Sequence, residues 1–386
     1  MGRSRRSKKP EPPRPRLAPE QYSELNATFY TGEPSEYLMM RIESLSLMVA
    51  SVAALAPAFA ENRRVGVADF GPMSPPDEQA RRRYIQSEAV IILHHSAETL
   101  LRMFLAHVGY EQCPWLGIAS SRTPREFKDK CIEITKAGVK RDDVARIFIG
   151  GTDPRDAGIR VTDEEFEESV EALTRLLYFC ATRFLDESFL YNAAKHGLAT
   201  VHLDDSTKFV FDNGSLEGPV TFSSGAMLTY LHKQEKPGAT SGPEWFVSAT
   251  GSLPDQGLAV AVLIQRAVGS LWDVARRRYT GASGSITIFS TKVLIDAIYA
   301  AVNESLNVVR TISFELPKRA EDGSISEVKI NFDGQDLYKD FDHSVDEFRA
   351  AFMKRVELPK RQRDMKPLIV SRRNLLPFSP EGSSRV

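Results

Sequence analysis

Cysteine is scarce in this chain of 386 residues: Cys113, Cys131 and Cys180 are odd in number and widely spaced. With no CxxC or Cys/His spacing, neither a disulfide frame nor a zinc site is expected, and the three read as reduced thiols of a cytoplasmic protein. Histidine is also sparse, and HExxH is absent. His94 or His95 with Glu98 could place two ligands on one helix face, but no third is defined, so neither metal nor cofactor is expected. A phosphate cradle is missing too. The segment from Gly150 to Gly158 is rich in turn residues but fits neither GxGxxG nor GxxxxGKS/T, and reads as a surface loop between helices.

The apolar run from Leu45 to Ala60 is too short to span a bilayer, and Pro57 interrupts it. Glu33, Glu36 and Glu43 separate it from the basic N-terminal end, which excludes the layout of a signal peptide. A buried helix is expected there, with no membrane partner. Acidic and basic residues nearly balance, for a net charge of -1, but they are unevenly placed. Arg3, Arg5, Arg6, Lys8, Lys9, Arg14 and Arg16 face only Glu11, about +6. The stretch from Lys354 to Arg373 adds about +6 again, leaving the body at about -13. Both basic ends could hold phosphate backbones by counterion release, or serve as solubilising arms that fold back on the acidic body.

What is present is mostly helical up to residue 200. Apolar spacing predicts helices over 34–60, 77–107, 124–136 and 162–185. Thr162 with Glu165 forms a capping-box pattern, Thr123 precedes a Pro at the first helical position, and Ser74-Pro75-Pro76-Asp77 separates two segments. Beyond 200 the period changes. Strands are expected at 207–211, 220–223, 245–249, 308–316 and 326–332, and helices at 254–279, 291–306 and 346–355, with a break at 281–284. The expected fold is α+β and mainly α: an N-terminal helical bundle followed by a smaller region of antiparallel strands and helices. The expected division is a disordered basic tail at 1–20, a helical domain at 35–200, an α+β domain at 201–356 and a basic tail at 357–386.

Chemistry concentrates at Tyr191-Asn192-Ala193-Ala194-Lys195-His196-Gly197, an amide, a cation and an imidazole within a turn and a half. A second group lies on the helix at 77–107, where His94, Glu98 and Arg102 recur at intervals of four among apolar residues. Ionisable groups on so apolar a helix must be paired or face a cleft. One reading is a Glu98–Arg102 pair with His94 exposed. The other sets the stripe opposite Asn192 and His196. Arg102 and His107 also stand five apart, but on a continuous helix they point to different faces.

The polar cluster at the start of a short helix after a long one resembles the HEPN superfamily, nucleotide-binding domains of higher eukaryotes and prokaryotes. Its signature is an Arg, usually followed by Asn, Asp or His, with a His about five residues after the Arg. Tyr191 stands in the Arg place, Asn192 in the polar place and His196 in the His place. The resemblance implies a small helical bundle, dimerisation through the motif helices and, in many members, metal-independent endoribonuclease activity in toxin or defence systems. It assigns His196 as acid/base with Asn192 beside it, while the missing phosphate cation would come from Arg102 or Lys195, with Tyr191, His94 and Glu98 around the substrate. The chain thus reads as RNA-directed, either cutting RNA or binding RNA or nucleotide as a degenerate relative. The alternative is a non-enzymatic interaction protein whose Asn192 and His196 stitch helices together.

Overall fold

The computed structural model describes residues 19–120, 123–196, 198–211, 220–234, 244–251, 253–299, 310–317, 319, 324–325, 329–333 and 351–360. After a 3-10 turn at Pro19–Gln21 come α1 (Tyr22–Phe29), α2 (Pro34–Leu47), α3 (Val52–Ala60) and a hairpin of β1 (Arg63–Val65) and β2 (Ala68–Phe70). The helical body continues with α4 (Glu78–Gly109), α5 (Pro114–Ala119), α6 (Pro124–Ala137), α7 (Arg141–Val144), α8 (Pro154–Ala157), α9 (Asp163–Asp186) and α10 (Ser188–Lys195). Strands β3 (Thr200–Leu203), β4 (Lys208–Phe211), β5 (Val220–Ser224), β6 (Met227–Gln234) and β7 (Glu244–Gly251) follow, then α11 (Pro254–Thr280), β8 (Gly284–Phe289) and α12 (Thr291–Tyr299). β9 (Thr311–Glu315), β10 (Lys329–Asp333) and β11 (Met353–Leu358) complete the described elements. The fold is α+β and mainly α.

Side chains set several helix starts. Thr123 and Thr162 each accept a hydrogen bond from the backbone N–H three residues on, while Glu126 and Glu165 reach back to the cap N–H, two complete capping boxes. Asp77 caps α4 in the simpler way, through Ala80 N–H. The core forms around α4, α9 and α11. Leu100, Leu101, Leu173, Leu176, Leu177, Ile264, Val268 and Leu271 are among its most deeply buried residues. By length and composition alone α4 and α11 are apolar enough to cross a membrane; here they pack on one another and on other helices.

A five-stranded antiparallel sheet in the order β10-β9-β7-β6-β3 stands beside this core. Its buried surface carries a hydroxyl ladder. Ser248 Oγ lies 2.7 Å from Ser313 Oγ and 2.8 Å from His232 Nε2, and Thr250 Oγ1 lies 2.9 Å from Thr311 Oγ1. β11 pairs only with β8 among the described residues, and the β8 side faces the helical core.

One cluster of buried residues takes in both sides of residue 200, because α11 packs against α4, α2 and β8. Several expected elements are corrected. The helix expected over 346–355 ends in β11 instead; Val356 and Leu358 are buried and Arg355 and Glu357 exposed, a two-residue period, whereas 346–350 lie outside the described residues. The same strand runs through 357–358, where a basic tail was expected. The helix expected over 34–60 is broken into α2 and α3 by a bend in which buried Arg81 donates to the carbonyls of Met48, at 2.8 Å, and Ala50. α3 is not buried: Leu55 alone is enclosed, while Val52 is exposed, as are Leu47 and Val49 before it. Hairpin β1–β2, α1, α5, β3, β6 and β8 were not anticipated. The tails at 1–18 and 361–386, and 300–306 of the expected helix at 291–306, lie outside the described residues.

The segment from Gly150 to Gly158, expected as a surface loop, holds the short helix α8 and is tied to the core at both ends. Arg277, fully buried on α11, donates to Gly150 O at 3.2 Å and to Ala157 O at 3.0 Å. Gly150 sits at φ +93°, and a Cβ there would meet Arg277 Nη2 at 2.4 Å, so both backbone conformation and space require glycine.

Candidate functional site

The short motif helix occupies the joint between helices and sheet. α9 ends where Glu187 donates its backbone N–H to Arg183 O, and the same residue opens α10. The Glu187 carboxylate is buried between two guanidinium groups, that of Arg183 on α9 and that of Arg310, 2.5 Å away. Burial pushes its pKa up, and Arg183 opposes the shift. Past this anchor, Leu190, Tyr191 and Ala194 turn inward. Leu190 packs with Leu228 and Tyr230 of β6, with Val90 of α4 alongside. Phe189 stacks on His232, 4.4 Å between ring centroids.

Tyr191 and Lys195 of α10 meet His94 of α4. The Tyr191 ring lies flat on the imidazole, with centroids 3.8 Å apart and planes 14° from parallel. Phe184 packs against the same imidazole at 5.2 Å. Lys195 Nζ stands 5.0 Å from the centre of the Tyr191 ring, within cation–π reach. Burial lowers the His94 pKa to about 4, with Glu98 pulling it up and Lys195 pushing it down. At neutral pH His94 is therefore an uncharged imidazole inside an aromatic packing unit. Its neighbour His95 accepts a hydrogen bond from Arg41 at 2.8 Å, and burial, then Arg41, lower its pKa as well.

The remaining expected residues point elsewhere. Arg102 is paired through Nε with Glu98 at 2.7 Å, and its guanidinium lies over the Phe127 ring at 4.0 Å. It borders a cavity of about 20 Å³ with Tyr110 and Gly117. That volume is the size of one water and far too small for a nucleotide. Asn192, Lys195 and His196 are exposed, and positions 192, 195 and 196 share one face of α10 by helical spacing. His196 closes the helix, its N–H bonded to Asn192 O at 2.9 Å. The positive charge of Lys195 complements the carbonyl end of α10.

His94, Glu98, Tyr191 and Lys195 thus form one cluster. Arg102 joins it through Glu98 alone, and Asn192 and His196 face solvent. His107 turns to the opposite side of α4, where Nδ1 bonds Met103 O at 2.7 Å and Nε2 accepts from the buried Tyr30 hydroxyl at 2.9 Å. The buried cations Arg81, Arg183 and Arg277 were not anticipated, since nothing in local spacing distinguishes them from surface arginines. Among the described residues no group of three or more His, Cys, Asp or Glu side chains is arranged to hold a metal ion.

Comparison of the chain with protein families, with characterised proteins and with solved structures finds no match.

Proposed function

We propose that the protein is a non-cleaving RNA-binding relative of the HEPN-like helical proteins, whose motif helix has been turned into a structural joint with a polar outer face. The observation that carries this reading is the split within one turn and a half. Tyr191, in the place of the phosphate-binding Arg, is spent on His94, while Asn192, Lys195 and His196 all remain exposed. Exposed amide, ammonium and imidazole groups are suited to phosphate and ribose oxygens. Cleavage needs more, namely a cation held against the scissile phosphate beside an acid/base, and Arg102 is engaged by Glu98 and Phe127.

The test measures RNA binding and metal-free RNA cleavage side by side for the full chain and for Asn192→Ala/Lys195→Ala/His196→Ala. Binding that weakens in the variant, without cleavage in either protein, supports the reading. Cleavage abolished by His196→Ala alone would replace it with the ribonuclease reading. Absence of RNA binding by the wild type would remove both.

One observation favours a second reading, an interaction protein. α3 and the hairpin expose Val52, Val65, Phe70 and Val67, the last 94% accessible. Apolar side chains gathered on one projection mark a contact surface. If it mediates self-association, Val67→Asp lowers the mass seen by light scattering without changing RNA binding; an unchanged mass excludes that role for the hairpin tip.

A further inference from the structure

The basic stretch beginning at Lys354 was singled out by charge alone, and its described part builds one wall of a cleft. β11 passes beside the turn after α8, and between them lies a cleft of about 390 Å³ lined by Gly158, Arg160, Lys354, Arg355, Glu357 and Pro359, among others. Its cations differ in how far they are engaged. Lys354 Nζ is held by Glu165 at 2.5 Å. Arg355 bonds Ser285 Oγ through Nε, at 2.6 Å, and the two terminal nitrogens of its guanidinium have no partner among the described residues. Arg160 is exposed and has no partner among the described residues, and Lys360, just past the cleft, is exposed too. Glu357 is the one carboxylate among the described lining residues.

We infer that this cleft binds the phosphate backbone of single-stranded RNA through Arg160, Arg355 and Lys360. Guanidinium groups pair with phosphate oxygens in a fork that a lone ammonium cannot reproduce. Among the described residues no aromatic side chain lines the cleft, which therefore offers no platform for base stacking there, and the contact is blind to base identity. The sequence beyond Lys360 continues with Arg361, Arg363, Lys366, Arg372 and Arg373, a run longer than any single anion would use and matched to the repeating charge of a nucleic-acid strand. The inference rests on the RNA-directed reading above and adds a second contact surface to the α10 face.

The experiment is fluorescence anisotropy of a labelled oligouridylate about twelve nucleotides long, titrated with the full chain across a series of salt concentrations. Each phosphate contact to a single strand contributes about 0.7 to the salt slope, so Arg160→Ala/Arg355→Ala lowers the slope by about 1.4 and affinity at 0.1 M salt by roughly 25-fold. Arg160→Glu is the second variant; it leaves no described partner behind, and circular dichroism checks that both variants fold. Oligoadenylate of the same length binds as tightly as oligouridylate. RNA binding with the same slope and affinity in both variants overturns the cleft assignment while leaving the RNA-directed reading intact. No binding by the wild type overturns both. Displacement of the RNA by polyglutamate at lower concentration than by unlabelled oligouridylate overturns the assignment in favour of an acidic peptide.

Discussion

The ring of Tyr191 rests on the imidazole of His94 at 3.8 Å, which makes the first residue of the motif a core residue. Replacing it by Ala removes a large buried side chain and its stack, and should cost about 3 kcal/mol in urea unfolding. Tyr191→Phe should lie within about 0.5 kcal/mol of wild type, because among the described residues the hydroxyl has no hydrogen-bond partner. Tyr191→Arg is the more informative change. It introduces the Arg of the HEPN signature but sets a guanidinium against a buried neutral imidazole, so it should destabilise about as much as Ala and yield no metal-free cleavage of RNA.

Two histidines make the protein sensitive to mild acid. His94 and His107 are both buried with pKa values lowered to about 4, desolvation being the main cause in each. The unfolded chain protonates near 6.5, so between about pH 6.5 and 4 it binds protons that the native state does not, and stability falls as pH falls. Each site can contribute on the order of 3 kcal/mol of loss by pH 4, with little further change from it below. His107→Gln should flatten the pH dependence of the urea midpoint across that window. An unaltered profile would show that His107 does not titrate as its burial requires.

The glycine at 150 and the arginine at 277 form a coupled pair. Gly150→Ala introduces a methyl group 2.4 Å from Arg277 Nη2 at φ +93°, and Arg277→Ala leaves the carbonyls of Gly150 and Ala157 without that donor. Each should cost about 2 to 4 kcal/mol. The double variant should be more stable than the sum of the two losses by at least about 1 kcal/mol, since the clash disappears with the guanidinium while the backbone strain stays. Strict additivity, measured by denaturant titration, would show that the side chain does not contact residue 150.

Local signals account for what could be read from the sequence. The Thr162/Glu165 capping box, the Pro after Thr123 and the apolar spacing of α4, α6, α9 and α11 are signals between residues a few positions apart, which is why those helices were legible. β8 was not read as a strand: the glycines at 281 and 284 gave a turn signal that takes in only its first residue, and its partner, β11, comes some sixty residues later. α3 was expected inside because its residues are apolar, yet burial depends on what covers a helix, and the Arg81-held bend turns it outward. The stripe on α4 was legible as one that needs partners. That Tyr191 would cover His94, and Phe127 would cover Arg102, depends on contacts between distant segments and could not be read from spacing.

The joint itself depends on a buried carboxylate. Glu187 lies between Arg183 and Arg310, with the Arg183 side chain only 2% exposed, so neutralising it leaves two cations facing each other with little water to screen them. Glu187→Gln keeps the shape and removes the charge, and should cost about 3 to 5 kcal/mol. The exposed pair of Arg141 with Glu167 is the control, and Glu167→Gln should cost no more than about 1 kcal/mol. Because α10 begins at Glu187, the loss should appear first as increased amide hydrogen exchange in residues 188–195, ahead of α4 and α9. Uniform exchange across all three helices would mean that α10 is held by its apolar contacts with Leu228 and Tyr230 and that the carboxylate does not anchor it.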